Sequence, residues 1–292
     1  MSNHILFIHG MFLNPKSWEP WIHRFETRDF SCSAPAWPLH EGDPRALRSH
    51  VPEGLGHLKL QDVVDRYVAE LRNLDEPPIL IGHSMGGLVV QILAAQGLAS
   101  MGVCIASVAP NDLISADWGL FTNVLSIINP LAGQSPCEMT PESFHDNFCN
   151  TMTHAQAVEA FDEFAVHESR QVMRDSLRRI AHIDLDKPHV PLLFLSGEKD
   201  VIIPTSLVAK NADHYTDPGS VTARKEFPGR GHFLCGQPGW EDVADYVHAW
   251  ILTQSDRETG DRLDRLSIAD TPLDPAAAPI IRHFRIHTEP EE

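Results

Sequence analysis

The sequence is short of the features that mark several classes of protein. It has 23 lysines and arginines against 40 aspartates and glutamates, and this acidic balance argues against nucleic acid or an anionic membrane as the main partner. No apolar run approaches the roughly 20 residues that a membrane-spanning helix needs. The N-terminus lacks the basic segment of a secretory signal. The five cysteines include no C-x-x-C pair, so we expect free thiols and a cytoplasmic protein.

The sequence also lacks the usual signatures of a metal or cofactor site. It contains no H-E-x-x-H motif and no glycine-rich phosphate loop. Its 17 histidines include the pairs His50/His57 and His283/His287, but these pairs lack cysteine or carboxylate partners at ligand spacing. We therefore expect no metal, no cofactor and a small-molecule substrate as the partner. The sequence does not indicate an oligomeric state.

What is present is an alternation of short apolar runs with amphipathic helical segments. Apolar runs such as "HILFI" and "ILIGH" are typical of strands that are buried on both faces of a parallel sheet. Strands that alternate with helices predict an α/β fold with a mostly parallel sheet of about six strands, flanked by helices. In such sheets, ligands bind beyond the carboxyl ends of the strands.

The alternation of strands and helices is interrupted after residue 110 and ends after residue 254, which predicts a core, an insertion and a C-terminal tail. Residues 1–110 and 188–254 carry the strands and predict an α/β core. Residues 111–187 have only helical periodicity and predict a helical insertion, or cap. We expect residues 255–292, which mix charges with proline and alanine, to form a tail that is partly disordered or strapped on the surface. Residues 38–59 are predicted to form a long loop.

The stretch "GHSMG", residues 82–86, lies between a predicted strand and a predicted helix. A G-x-S-x-G motif in this context predicts a nucleophile elbow, with Ser84 as the nucleophile. The first N–H groups of a helix lack partners within it, so the Met85 N–H could face an oxyanion. The alternative interpretation is that Ser84 only caps the helix.

Three further loops follow predicted strands and supply complementary groups. Gly10 allows a sharp turn that would offer the Met11 N–H as a second oxyanion donor. Asp200 follows the strand "PLLFLS" and is the preferred acid, with Asp112 as the other candidate. His232 completes the chain order Ser, Asp, His and would be the general base.

Taken together, the segments "FIHGM", "IGHSMGG", "LSGEKDVIIP" and "FPGRGHF" resemble the α/β-hydrolase superfamily over about residues 4–253, in a member with a helical cap. The resemblance implies that Ser84, Asp200 and His232 form a catalytic triad and that Met11 and Met85 supply the oxyanion N–H groups. It also implies that the first two strands of the family's sheet are missing. The loop after "SAPAWP" departs from the family, because it lacks the common D-x-x-G-x-G-x-S pattern.

The expected activity is that of a serine hydrolase on a small-to-medium, mostly apolar carboxylic ester, thioester or lactone, through an acyl-enzyme on Ser84. The same scaffold and triad could instead serve a C–C bond hydrolase, a lyase or a non-hydrolytic catalyst, or a binding protein without activity. Four side chains are candidates for substrate contact, although each could equally pack in the core: Trp37, His40, Trp118 and Phe121.

Overall fold

The computed structural model describes residues 3–113 and 129–269, without the side chains of residues 130 and 258–269. The chain divides into two compact units, Met1–Leu252 and Thr253–Glu292. The first unit contains a parallel sheet of six strands in the order β2-β1-β3-β4-β5-β6, which confirms the predicted α/β fold. The strands are β1 (His4–Ile8), β2 (Ser31–Ser33), β3 (Ile79–His83), β4 (Met101–Ile105), β5 (Leu192–Gly197) and β6 (Thr222–Phe227).

The residue types explain which strands are central and which lie at the edges. Every residue of β3, β4 and β5 is buried, as apolar runs covered on both faces should be. The edge strand β2 has only three residues, and the edge strand β6 exposes the charged run Arg224, Lys225 and Glu226. Short edges and charged edges both discourage pairing with another chain.

Helices connect the strands and cover the sheet. They are α1 (Glu19–Glu26), α2 (Pro44–Ser49), α3 (Leu60–Leu71), α4 (Met85–Ala95), α5 (Pro141–Asn147), α6 (His154–Phe164), α7 (Arg170–Asp175), α8 (Thr205–Asp213) and α9 (Trp240–Ala269). Helix α4 is buried along almost its whole length and packs on β3 and β4. Glycine makes this packing close, since a Cβ at Gly87 would lie 2.6 Å from the Ser107 hydroxyl.

The predicted loop 38–59 is more ordered than we expected. It contains α2 and a 3₁₀ turn, Leu55–His57. The Asp43 carboxylate caps α2 by accepting hydrogen bonds from the N–H groups of Arg45 and Ala46, and Pro44 occupies its first turn. Both are strong start signals for a helix. The high glycine and proline content of residues 38–59 favours the prediction of a loop over these two helix-start signals.

The described part of the insertion lies between β4 and β5 and contains α5, α6 and α7. An isolated antiparallel bridge joins Cys137 to Glu168 across it. The guanidinium of Arg48, on α2, donates to the carbonyl oxygens of Phe161 and Ala165 near the end of α6. The insertion is therefore tied to the core segment that precedes α3.

The last helix continues to Ala269, beyond residue 254, where the predicted core ends. Residues 255–269 contain no proline and a single glycine, so nothing in their sequence ends the helix. Among the described helices, none combines the length and the apolar character that would let it cross a membrane.

Candidate active site

Ser84 lies at the turn between β3 and α4 in a strained backbone conformation. Its φ of 55° and ψ of −117° fall in a region that residues with a side chain rarely adopt, at a cost of roughly 1–3 kcal/mol. The Ser84 N–H donates to the Ile105 carbonyl at 2.9 Å, and the Ser84 carbonyl accepts from the N–H groups of Gly87 and Val108. These three bonds hold the strained residue in place at the carboxyl edge of the sheet.

The two glycines of the motif are required by close backbone contacts. A Cβ at Gly82 would lie 2.3 Å from the Gly86 carbonyl oxygen, and a Cβ at Gly86 would lie 2.3 Å from that of Ile8. No side chain fits at such distances. The motif therefore has the steric basis of a strand-to-helix elbow, as the sequence predicts.

The loop after β1 lies directly against Ser84. A Cβ at Gly10 would lie 2.9 Å from the Cβ of Ser84 and 2.9 Å from the His83 carbonyl oxygen. Gly10 thus brings the backbone of Met11 beside the elbow, while Met85 is the first residue of α4. Both predicted oxyanion donors are at this junction, and their catalytic role stays a prediction.

The loops after β5 and β6 bring Asp200 and His232 together. The Nδ1 of His232 lies 2.8 Å from Oδ2 of Asp200, and both side chains are fully buried. The other carboxylate oxygen, Oδ1, accepts hydrogen bonds from the N–H groups of Ile202 and Ile203, each at 2.8 Å. Asp200 is thereby fixed as an acceptor, so Nδ1 of His232 carries the proton and Nε2 is left with a lone pair.

The Nε2 atom of His232 is the nitrogen of the pair that is available to accept a proton. It is buried and has no hydrogen-bond partner among the residues that the structure describes. The His232 ring lies 4.8 Å from the ring of His83, the residue before Ser84. General-base activation requires a basic nitrogen near the serine hydroxyl, and the contact with His83 brings the His232 ring to the neighbourhood of Ser84.

The other acidic candidates have different surroundings. The Asp112 carboxylate is 56% exposed and pairs with His182. Glu198 is on the surface, where it pairs with Lys199 and accepts a hydrogen bond from the Gly229 N–H, and these two contacts lower its pKa. Of the three carboxylates, Asp200 is the one in contact with His232.

The insertion supplies residues that contact the histidine loop. The Phe148 ring meets the His232 ring edge-on at 5.0 Å, and the Phe148 carbonyl accepts the Phe233 N–H at 2.9 Å. The Asn150 amide donates to the Lys199 carbonyl at 2.8 Å. The sequence places Phe148 in a segment that is predicted to be helical, but periodicity alone does not reveal its contact with His232.

His83 has a structural role that the sequence does not reveal. Its Nε2 donates to the main-chain carbonyl of His232 at 2.9 Å, which joins the histidine loop to the elbow. Burial, together with the nearby His232, lowers the pKa of His83 to about 3. It is therefore neutral at physiological pH, and only its position between Gly82 and Ser84 could have drawn attention to it.

A second group of buried histidines, His9 and His40, lies next to the Gly10 loop. His9 is stacked on Trp37, with ring centroids 4.7 Å apart, and its Nε2 accepts the Trp37 N–H. His40 pairs with Glu168 of the insertion at 3.2 Å. Trp37 and His40 are 0% and 1% exposed, so both have protein partners, and a substrate contact for either stays a prediction.

Two predicted substrate contacts, Trp118 and Phe121, lie outside the described residues. Within the described part of the chain, no group of three or more His, Cys, Asp or Glu side chains could hold a metal ion. All five cysteines are free thiols. Burial raises the pKa of Cys149 to about 12, so this thiol is protonated and unreactive at neutral pH.

The arrangement can support nucleophilic acyl transfer. It combines a serine on a strained turn, a histidine oriented by a carboxylate and two backbone N–H groups at the same junction. These groups come from four strand ends: Met11 follows β1, Ser84 and Met85 follow β3, Asp200 follows β5 and His232 follows β6.

Comparison with known proteins finds a matching family model and similar solved structures. A family model described as alpha/beta hydrolase family matches residues 5–246, whereas no curated protein sequence matches the chain significantly. The structure is similar to the monoacylglycerol lipase of Paleococcus ferrophilus, with a TM-score of 0.63, 18% identity and coverage of 86% of this chain and 94% of that one.

Two further solved structures have the same fold. The thermophilic esterase from Thermogutta terrifontis has a TM-score of 0.61 at 18% identity, with 86% of this chain and 89% of that one covered. Methylketone synthase I from tomato has a TM-score of 0.63 at 14% identity, with 87% and 99% covered. At such identities the likeness shows a shared fold and leaves the substrate open.

Proposed function

We propose, from the premise that this chain belongs to the alpha/beta hydrolase family, that it is a serine hydrolase of small-to-medium, mostly apolar carboxylic esters, thioesters or lactones. One observation carries the proposal. The strained Ser84 directly follows His83, whose ring lies 4.8 Å from that of His232, and His232 forms a buried pair with Asp200 in which its Nε2 has no partner among the described residues. A histidine held in this way is suited to take the serine proton.

The reaction would proceed in two halves. The Ser84 Oγ attacks the carbonyl carbon while Nε2 of His232 accepts its proton, and the N–H groups of Met11 and Met85 stabilise the oxyanion. The C–O or C–S bond of the leaving group then breaks, and the histidine returns the proton to that group. Water, activated by His232, next attacks the acyl-enzyme and releases the acid and Ser84.

The surroundings of the site favour an apolar acyl group. The ring of Phe148 contacts the His232 ring and lies 6.3 Å from the ring of Phe12, measured between centroids. Phe12 and Phe148 are 3% and 4% exposed, so an acyl chain that enters here meets hydrocarbon. The net charge of −17 disfavours strongly anionic substrates through its long-range field.

The test combines a covalent probe with a substrate series. A fluorophosphonate should label wild-type protein on Ser84. We also expect the wild type to hydrolyse at least one compound from a series of p-nitrophenyl esters of increasing acyl length, thioesters and lactones. We expect Ser84→Ala to abolish labelling and to lower kcat by about 10³-fold or more. Turnover retained by Ser84→Ala would overturn the mechanism. Labelling of Ser84 without turnover of any of these substrates would overturn the substrate class and favour C–C bond hydrolysis or lyase chemistry.

A further inference from the structure

A buried carboxylate of the insertion is in contact with the loop that carries Met11. Glu168 is 0% exposed and is held in the antiparallel bridge with Cys137. Its Oε1 accepts the Ser169 N–H at 2.6 Å. Its Oε2 accepts the Phe12 N–H at 3.3 Å and the Nε2–H of His40 at 3.2 Å. The carboxylate therefore uses both oxygens within the protein interior.

The contacts of His40 favour its positively charged form. Its Nδ1 faces the Pro38 carbonyl at 3.0 Å, and its Nε2 faces Glu168. Both neighbours are acceptors, so both ring nitrogens must donate, which only the imidazolium can do. Burial of the ring opposes the charge, but the Glu168 carboxylate and the Pro38 carbonyl outweigh it and raise the pKa of His40. The pair is a buried ion pair.

His9, by contrast, is neutral in a defined tautomer. Its Nδ1 faces the Gly10 carbonyl and its Nε2 accepts the Trp37 N–H, so the proton is on Nδ1. Burial lowers the pKa of His9 well below its usual value, and the charge of His40, whose ring centroid is 5.5 Å away, lowers it further. The charge in this cluster is thus confined to His40 and Glu168.

The backbone N–H and carbonyl of Phe12 both form hydrogen bonds with the insertion. Its N–H donates to Glu168, and its carbonyl accepts the Val166 N–H at 3.0 Å. Between these bonds Phe12 adopts a φ of 64°, which a bulky residue adopts only when its surroundings impose it. Phe12 directly follows Met11, so these bonds determine the direction of the peptide planes at the proposed oxyanion donor.

We propose that Glu168, held in place by His40, is a positioning residue that aligns the loop Gly10–Met11–Phe12 for oxyanion stabilisation. The inference rests on the proposed function, because it assigns a purpose to Met11 in that reaction. The insertion would then set the geometry of the proposed catalytic backbone. A buried ion pair is weak as a stabilising device, so its presence at this loop favours a role in geometry.

The decisive variant is Glu168→Gln, which keeps the shape of the side chain and removes its charge. One carboxylate oxygen becomes an NH₂ group, which cannot accept a hydrogen bond. The matched control is Glu138→Gln, since Glu138 adjoins Cys137 in the same bridge but pairs with His167 at the surface. His40→Gln is the conservative variant, because its amide can still donate to Glu168.

The assay is p-nitrophenyl butyrate hydrolysis, with active sites counted by fluorophosphonate labelling. We expect Glu168→Gln to lower kcat per labelled site by about 10–100-fold with little change in KM, because a displaced donor acts in the transition state. The inhibition constant of a trifluoromethyl ketone, whose adduct places an oxyanion at the same point, should rise by a similar factor. Glu138→Gln should match wild type, and His40→Gln should remain within about threefold.

The outcomes separate this inference from the proposed function. Inactive Ser84→Ala together with wild-type kcat and ketone inhibition in Glu168→Gln would overturn the positioning role alone. Turnover by Ser84→Ala would overturn the proposed function itself. If Glu168→Gln does not fold, the comparison of His40→Leu with His40→Gln decides. A kcat about tenfold lower in His40→Leu supports the role, and equal values overturn it.

Discussion

Ser84 and its immediate neighbours show how single residues create the site. The serine is kept in its strained, positive-φ conformation by three backbone hydrogen bonds, and this strain persists only because glycines on both sides leave room for it. Gly82 and Gly86 bring the strand and the helix together, and Gly10 brings the first loop against them. Small residues thus determine where the Ser84 hydroxyl, the proposed nucleophile, is presented.

Asp200 provides a prediction at this scale. Asp200→Asn would replace the acceptor for Nδ1 of His232 with an amide that can present a donor, which favours the wrong tautomer of the histidine. We expect kcat to fall by about 10⁴-fold while the fold is retained. The control is Asp112→Asn, since Asp112 pairs with His182 on the surface and should leave kcat unchanged. The opposite ranking of the two variants in a steady-state ester assay would show that the wrong acid has been assigned.

Gly10 provides a second prediction. Gly10→Ala would place a methyl group 2.9 Å from Ser84 Cβ and from the His83 carbonyl oxygen. We expect a loss of about 1–3 kcal/mol in the free energy of unfolding and a fall in kcat, because the loop must move away from the elbow. Gly219→Ala is the control, since its added methyl group would meet only the Asp217 carboxylate at 3.4 Å. Urea denaturation and kcat should both distinguish the pair, and wild-type kcat in Gly10→Ala would contradict the proposed packing.

At the scale of elements, the insertion between β4 and β5 is attached at several points. Arg48 joins it to α2, Phe148 and Asn150 join it to the loops of His232 and Asp200, and Glu168 joins it to the loop after β1. These contacts come from different parts of the insertion. Displacement of this element would therefore disturb three of the loops that form the site.

Phe148→Leu tests the contact between the insertion and His232. The substitution keeps an apolar side chain but removes the ring whose edge meets the imidazole at 5.0 Å. We expect kcat to fall by about tenfold as the histidine becomes less well held. Phe161→Leu is the matched control, because Phe161 packs on Phe144 and Arg48 instead. If both variants lower kcat equally when normalised to labelled sites, Phe148 has no special role.

The sequence predicts the elements that depend on local patterns and misses those that depend on distant partners. The elbow, the β5 turn with Asp200 and the β6 loop with His232 follow strands, and parallel strands bring their carboxyl ends to one edge. Glu168 is separated from Phe12 by 156 positions and from His40 by 128. No local motif encodes such pairs, so sequence reasoning assigned His40 to substrate contact and left Glu168 out.

At the scale of the whole molecule, buried neutral histidines make stability depend on pH. His83 has a pKa of about 3 in the folded state, against 6.5 for an unperturbed histidine. Between these values the unfolded chain binds a proton that the folded protein excludes, so stability is lost as pH falls from about 6.5 towards 3. His9, whose pKa is also lowered, acts in the same direction.

His83→Gln should flatten this dependence. The glutamine amide can keep the hydrogen bond to the His232 carbonyl but does not titrate. Between pH 6 and pH 4, we expect the free energy of unfolding of wild type to fall more steeply than that of the variant by about 1.4 kcal/mol per pH unit. Urea denaturation at several pH values measures both slopes. Identical slopes would show that His83 titrates alike in the folded and unfolded states.

The central claim is that Ser84 forms a covalent acyl-enzyme. The most direct measurement is peptide mass spectrometry of the segment around Ser84 after acid quenching during turnover of p-nitrophenyl butyrate. The account predicts a butyryl adduct on Ser84 that disappears as substrate is exhausted and that is absent from Ser84→Ala. Steady turnover by wild type without an adduct on Ser84, or with the adduct on another residue, would contradict the account.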